Sequence, residues 1–420
     1  MVPTIITTLG FILLSAHASL AQTAGRDVSV FQNTVYWTNW SVYDRNYPPQ
    51  KLPVSQINQV LYSFMNIQND GTVFTRDKYA DIEQHDSSDS WNNAGNNAYG
   101  AVKQLALLKR SNRHLKVILS IGGWTMSSNF PAVAADAAKR ANFAESAVTM
   151  VKDYGFDGID IDWEYPATPS DAANFILLLK AVRAELDSYR ERAASDYHFL
   201  LTAATPAAPE HYNVLRLKEM GEILDYVNIM TYDYAGGWDL SAVGHQANLY
   251  PNPSNPESTP FSTDRAITDY IEAGVPGRKI VMGIPLYGRG YEGALGLGQA
   301  ASSASPGTWE VGVYDYKNLP LEGSFEEYDY IAGASYSVDT VNHRIISYDT
   351  ITSVKKKVEY IRNKGLGGTM FWEASGDRTD ENSIIANCFR GQDGDSRMDK
   401  TDNLLLYPES IYDNIRTGLV

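Results

Sequence analysis

Eight short, apolar, β-rich runs alternate with amphipathic helical stretches from residue 33 onward. This alternation is typical of parallel strands joined by crossover helices. Eight repeats predict an α/β fold closed into a (β/α)8 TIM barrel rather than an open sheet, and 420 residues suffice to bury its core. The runs cover residues 35–39, 59–65, 116–121, 158–163, 199–204, 226–231, 279–286 and 368–372.

The helices predicted around the fourth run each carry one apolar face. Before the run, apolar residues recur at the helical period and Gly155 is the expected helix end. After the run, Ser170 is the expected N-cap of a helix whose apolar face includes Phe175 and Leu179. The fourth run is therefore a barrel strand, and active sites of such barrels form at the C-terminal ends of the strands.

The alternation stops between residues 288 and 355, where Tyr, Gly and Ser are frequent. We predict a small α+β insertion domain here, between the seventh and eighth barrel strands, with β segments at 308–316, 328–337 and 344–348. The last helix and a tail follow the eighth strand, and residues 404–407 are expected to pack back on the barrel. The predicted organisation is a signal peptide at 1–21, barrel at 22–287, insertion at 288–355 and barrel again at 356–420.

The first 21 residues have the pattern of a secretory signal, with an apolar run at 9–14 followed by the small residues Ser19 and Ala21. No stretch reaches the roughly 20 apolar residues that a membrane span needs. We therefore predict a secreted, extracellular protein.

The net charge of −15 argues against nucleic acid and anionic membranes as partners. Cys388, the only cysteine, is expected to be a buried apolar residue, and no intrachain disulfide can form.

Acidic residues alternate with apolar ones in the fourth strand and just beyond it. Asp160, Asp162 and Glu164 share one face, while Ile161 and Trp163 take the other. Neighbouring acids lie about 7 Å apart by the strand rise, so their charges interact if the face is partly dry. Buried carboxyl groups must be paired, protonated or metal-bound. This row therefore predicts either an acid/base site or a metal site, in preference to a solvated acidic strand.

Other residues favour the acid/base site over the metal site. The seven histidines show no paired helical spacing, and no calcium-loop pattern is present, so no metal or other cofactor is predicted. In the sixth strand the residues expected to face the barrel interior are Asn228, Met230 and Tyr232, and Asp233 lies at the strand end. In the eighth strand Trp372 is expected to face the interior as well. Aromatic faces next to carboxyl groups suggest a carbohydrate site.

Five segments stand out, in order along the chain: residues 120–124 (SIGGW), 157–166 (DGIDIDWEYP), 230–233 (MTYD), 283–289 (GIPLYGR) and 370–373 (MFWE). They resemble the signature of glycoside hydrolase family 18. From about residue 33 to the C-terminus the chain resembles secreted fungal chitinases of that family that carry an α+β insertion domain. The resemblance implies hydrolysis of β-1,4 N-acetylglucosamine linkages in chitin and chitooligosaccharides, by a monomer that needs no cofactor.

The resemblance also implies a role for each acid. Glu164 would be the general acid, which needs a raised pKa to keep its proton near neutral pH. Asp162 would share a proton with Asp160 and turn to the substrate acetamide, and Tyr232 would donate to the acetamide carbonyl. Asp233 would position the same sugar. The other implied binding residues are Trp372 as the floor, and Tyr36, Phe64, Trp124, Tyr165, Met230, Trp238 and Arg289 around it.

The family is one in which the substrate assists its own hydrolysis. The resemblance therefore implies that the acetamide oxygen attacks the anomeric carbon, that an oxazolinium ion forms, and that the configuration is retained. Two alternatives stay open: an inactive lectin on the same barrel, and an endo-N-acetylglucosaminidase acting on N-glycans. Lectins of this kind have lost the acid, which is present here as Glu164, and relatives of the second kind usually lack the insertion.

Overall fold

The computed structural model describes residues 30–194 and 196–419. The predicted signal peptide lies outside these residues. The α-helices described are α1 (Gly100–Ser111), α2 (Phe130–Ala135), α3 (Ala137–Tyr154), α4 (Pro169–Ala193), α5 (Pro209–Tyr212), α6 (Leu217–Ile223), α7 (Thr263–Glu272), α8 (Ile351–Lys364), α9 (Ile384–Gly391) and α10 (Asp413–Arg416). The strands described are β1 (Gln32–Thr38), β2 (Gln59–Ile67), β3 (Val73–Phe74), β4 (Lys116–Gly122), β5 (Gly158–Asp162), β6 (Leu200–Pro206), β7 (Tyr226–Met230), β8 (Ile280–Pro285), β9 (Tyr287–Glu292), β10 (Ser303–Ala304), β11 (Val313–Asp315), β12 (Phe325–Asp329), β13 (Ala334–Asp339), β14 (Arg344–Ser347) and β15 (Gly368–Trp372).

Eight of the described strands form a closed parallel barrel, which confirms the predicted fold class. Their order is β1, β15, β8, β7, β6, β5, β4 and β2, and pairing of β1 with β2 closes the ring. In the register of β5, Asp160 stands beside Ser120 of β4 on one side and Thr202 of β6 on the other. Paired residues of parallel strands point to the same face, so the register alone sets two hydroxyl groups beside this carboxyl group.

Helices α2 and α4 pack against Trp163, the residue that directly follows β5. Trp163 stacks on Phe130 at a centroid distance of 5.3 Å and meets Phe175 of α4 at 5.5 Å.

As predicted, α3 ends at Gly155, which adopts the left-handed conformation at φ 72°. The predicted N-cap Ser170 is wrong. Thr168 caps α4 instead, because its hydroxyl and the Asp171 side chain form a reciprocal capping box around the proline at the first helical position.

A second sheet lies between β8 and β15 in the chain. Its strands run in the order β10, β9, β14, β13 and β12, with β11 paired to β9. The single segment predicted at 328–337 is wrong: it is the hairpin of β12 and β13, because the Asp329 side chain accepts hydrogen bonds from the backbone of Ile331 and Ala332 and turns the chain. The sheet begins at Tyr287, directly after β8. The domain boundaries given above stay predictions.

The C-terminal tail packs at the N-terminal end of β5 through Asp157. This buried carboxylate accepts hydrogen bonds from the Val117 backbone (2.7 Å) and the Tyr197 hydroxyl (2.8 Å), and from the backbone of Leu404 in the tail (3.1 Å). The buried Lys109 ammonium lies 2.7 Å from it. Tyr407 is buried as expected of the tail. The neighbouring Leu406 is 60% exposed, so the tail packs through only part of its apolar run.

None of the helices that the structure describes is long and apolar enough to cross a membrane. Cys388 lies on α9 and is buried, as predicted.

We expect Lys109→Met to lower the free energy of unfolding by about 3–5 kcal/mol, because it leaves the Asp157 carboxylate buried without its cation. Chemical denaturation monitored by circular dichroism measures this. Lys356→Met is the matched control, since Lys356 pairs with Glu359 on the exposed surface, and it should change stability little. A small effect of both substitutions would show that the buried pair does not hold the tail and β5 together.

Candidate active site

Asp160 is the fixed end of the acidic row. Its carboxylate accepts hydrogen bonds from side chains of four other barrel strands: Tyr36 (2.9 Å), Ser120 (2.8 Å), Thr202 (2.6 Å) and Asn228 (3.3 Å). Burial raises the pKa of Asp160, and these four donors oppose that shift because they stabilise the charged form. Asp160 is therefore held in one orientation at the base of the pocket.

Asp162 is the incomplete member of the row. It is buried, and its Oδ1 atom has no hydrogen-bond partner among the residues that the structure describes. Burial, and then the nearby charges of Glu164 and Asp160, raise the pKa of Asp162 well above its usual value. Asp162 is thus a carboxyl group that tends to hold a proton and has one oxygen free for a ligand.

Glu164 stands at the open end of the row, two residues beyond the end of β5. Burial and the charge of Asp233 raise the pKa of Glu164 to about 7, although a hydrogen bond with the Tyr165 side chain opposes this shift. The Glu164 backbone donates to the Ser127 hydroxyl at 2.9 Å, which fixes the chain where it leaves the strand. A carboxyl group that titrates near pH 7 is suited to donate and recover a proton at that pH.

Tyr232 and Asp233 lie just after the C-terminal end of β7 and form another side of the pocket. Burial and the charge of Asp162 raise the pKa of Tyr232, so its hydroxyl stays protonated and able to donate. Among the residues that the structure describes, its one hydrogen-bond partner is the sulfur of Met370 at 3.7 Å, a weak acceptor. Asp233 accepts from the Tyr287 hydroxyl (2.6 Å) and from Arg289 Nε (2.9 Å), both on β9 of the second sheet.

The floor of the pocket is aromatic. Trp372 stacks on Phe64 at 5.7 Å with the rings 19° from parallel, and Tyr36 meets its edge at 5.2 Å. Met230 packs on the same cluster. The floor thus combines flat apolar surface with the hydroxyl of Tyr36, which is held by Asp160.

Two tryptophans stand at the rim with much of their surface in solvent, Trp124 at 74% exposed and Trp238 at 60%. Arg289 lies over the Trp238 ring at 5.0 Å. Trp124 follows Gly123, which has φ 83° and where a Cβ would come within 2.7 Å of the Phe64 ring. Glycine is therefore required between the floor and this rim residue.

The structure brings the predicted residues to one end of the barrel, but it also adds three that were not assigned a role. Thr202 and Tyr287 bind the carboxylates of Asp160 and Asp233, and the imidazole of His211 stacks on Tyr165. The register of β6 against β5 could have revealed Thr202. Tyr287 lies in a recognised segment, whereas no sequence signal marks His211.

Across residues 30–194 and 196–419, no three His, Cys, Asp or Glu side chains are grouped so as to hold a metal ion. The prediction that the protein needs no metal or cofactor remains to be tested by activity measurements with a chelator.

A row of carboxyl groups beside an aromatic floor at the end of a barrel is the arrangement expected of a glycoside hydrolase. The family model for glycosyl hydrolases family 18 matches residues 32–377, and the chain belongs to that family. It is 52% identical over 417 residues to Endochitinase 1 of Metarhizium robertsii, which covers 99% of this chain and 97% of that protein. It is also 52% identical over 391 residues to Chitinase 1 of Aphanocladium album, covering 93% and 92% of the two chains.

Solved structures agree with the fold. The catalytic domain of psychrophilic chitinase B from Arthrobacter TAD20 superposes with a TM-score of 0.81 at 31% identity, over 89% of this chain and 98% of that one. The chitinase ChiA74 from Bacillus thuringiensis gives a TM-score of 0.80 at 33% identity, over 87% and 70%.

We expect kcat/KM to fall with rising pH above about pH 7, because Glu164 must hold a proton in order to donate it and its pKa is about 7. Asp233→Asn removes a negative charge that raises this pKa, so the falling limb should move to lower pH. Asp239→Asn, an exposed change in the same loop, is the control and should leave the limb in place. A limb that Asp233→Asn leaves unmoved would mean that Glu164 does not set it.

Proposed function

We propose that this protein is a chitinase that hydrolyses β-1,4 N-acetylglucosamine linkages in chitin and chitooligosaccharides, with substrate-assisted catalysis and retention of configuration. The names of the two fungal relatives and both solved structures support the substrate class. Secretion rests on the pattern of the first 21 residues, and a monomer without cofactor is proposed with it.

The unpaired Oδ1 of Asp162 carries the mechanistic part of this proposal. A buried acceptor without a donor is unfavourable, and an acetamide N–H from the substrate would satisfy it. The Tyr232 hydroxyl, which contacts the weakly accepting sulfur of Met370, would donate to the acetamide carbonyl. Together the two groups would hold the acetamide oxygen against the anomeric carbon, which supplies the positioning that an enzyme nucleophile otherwise provides.

Among the residues that the structure describes, no carboxyl group around the floor is both charged and free to act as a nucleophile. Asp162 has a free oxygen, but burial and the nearby charges raise its pKa, so it tends to hold a proton. Asp233 is bound by Tyr287 and Arg289, and Glu373, next to Trp372, accepts from Ser375 and pairs with Arg45 at 3.2 Å. A retaining glycosidase of the ordinary kind needs a second, free carboxylate beside the bond. The acetamide of the substrate is therefore the nucleophile that fits this site best.

The proposed reaction needs one proton donor. Glu164 protonates the glycosidic oxygen as the bond to the anomeric carbon breaks and the acetamide oxygen bonds to that carbon, giving the oxazolinium ion. The Glu164 carboxylate then takes a proton from water, which attacks the anomeric carbon from the face that the leaving sugar vacated. The bond between that carbon and the acetamide oxygen breaks in the same step, and the acetamide group is re-formed. Two inversions at that carbon retain the β configuration.

The second sheet is proposed to form one wall of the polymer groove. Its strand β9 supplies Tyr287 and Arg289 to Asp233, and Arg289 also lies over Trp238 at the rim. Trp372 would carry the sugar whose anomeric carbon reacts, because a sugar ring can lie on the flat indole face.

We expect Glu164→Gln to reduce hydrolysis of a chitin hexamer by at least a factor of about 100, because the amide cannot donate the proton. Binding of the hexamer, measured by calorimetry, should be largely kept because the two side chains have nearly the same shape. Glu322→Gln in an exposed loop of the second sheet is the matched control and should leave both quantities unchanged. Turnover within tenfold of the wild type would remove Glu164 from the role of acid.

A second prediction concerns the acetamide group. The protein should cleave the N-acetylglucosamine hexamer and leave both the cellulose hexamer and the fully deacetylated glucosamine hexamer intact, because those two lack the internal nucleophile. Chromatography of the products measures all three rates. Comparable cleavage of a substrate without the acetamide would contradict substrate assistance, even if chitin is a substrate.

A further inference from the structure

We propose that His211 is a substrate-binding residue for the sugar on the leaving-group side of the cleaved bond. This inference rests on the proposed function. The His211 imidazole lies over the Tyr165 ring, with the centroids 4.4 Å apart and the planes 25° from parallel. Tyr165 directly follows Glu164 in the chain. His211 is thus separated from the proposed proton donor by a single aromatic ring.

The imidazole of His211 is held in place but its polar atoms are unused. Neither ring nitrogen has a hydrogen-bond partner among the residues described, and neither is cut off from solvent. Two other histidines do have polar partners: His114 contacts the Val54 carbonyl and His198 contacts Asp225. A neutral imidazole offers one donor and one acceptor, so His211 presents both at a fixed angle beside the site.

The barrel order decides which sugar His211 can reach. The strands β5, which leads to Glu164, and β15, which ends at Trp372, are opposite each other, with three strands between them in either direction. His211 lies on α5, directly after β6, the neighbour of β5. It therefore stands on the Glu164 side of the mouth, away from the Trp372 floor.

The oxygen that Glu164 protonates departs with the leaving sugar. That sugar therefore lies on the side of Glu164 that faces away from Trp372, where Tyr165 and His211 stand. Its hydroxyl and acetamide groups match the donor and acceptor of an imidazole edge, and the Tyr165 ring fixes the plane of that edge. The ligand of His211 is an N-acetylglucosamine unit of the polymer.

The test compares a leaving group that is a sugar with one that is not. His211→Ala should lower kcat/KM for a chitin hexamer about five- to tenfold, the loss of one hydrogen bond. For a chitobiose glycoside with an aryl leaving group that carries no hydroxyl or acetamide, kcat/KM should stay within about twofold, since that leaving group offers the imidazole no partner. His211→Asn should recover most of the hexamer activity, because the amide keeps a donor and an acceptor. His198→Ala, at the other end of β6, is the matched control and should affect neither substrate.

Equal losses on both substrates would overturn the proposal and assign the effect of His211 to Glu164 through Tyr165. Unchanged rates on both would also overturn it, because His211 would then contact no substrate group. Failure of the proposed function is a separate result: the wild-type protein itself would release no sugar from either substrate.

Discussion

The site depends on the four hydrogen bonds that side chains of β1, β4, β6 and β7 donate to Asp160 of β5. They hold a buried carboxylate where burial alone would favour its neutral form. Because the donors come from four different strands, only the closed barrel brings them together, and closure of the barrel thereby fixes the orientation of the Asp160 side chain. The next acid, Asp162, is placed by the rise of the same strand.

The three acids then differ through their surroundings rather than their type. Asp160 is surrounded by donors, Asp162 has an unpaired oxygen and two acidic neighbours, and Glu164 stands at the mouth beside Asp233. The row therefore holds a carboxyl group fixed by four donors, a carboxyl group that tends to hold a proton, and an acid with a pKa of about 7. Neighbouring like charges in a dry pocket repel each other, so the charges of Glu164 and Asp160 add to the effect of burial and raise the pKa of Asp162.

Local patterns in the sequence predicted the barrel and the acidic face, because the apolar periodicity of a strand or a helix can be read from the residues of that element alone. Contacts that depend on the pairing of strands far apart in the chain were missed. Thr202 became a partner of Asp160 only through the register of β6, and Tyr287 reaches Asp233 only through the second sheet. The helix start was placed two residues late at Ser170 because Thr168 and Asp171 cap reciprocally. The hairpin at 328–337 was missed because a side chain, Asp329, makes its turn.

The central claim is that the substrate's own acetamide, aligned by Asp162 and Tyr232, takes the place of an enzyme nucleophile. Proton NMR of the products released in the first minutes from a chitin oligomer tests it most directly, before the anomers equilibrate. Two inversions at the anomeric carbon predict initial release of the β anomer. Initial release of the α anomer would require direct attack by water, and it would contradict the account.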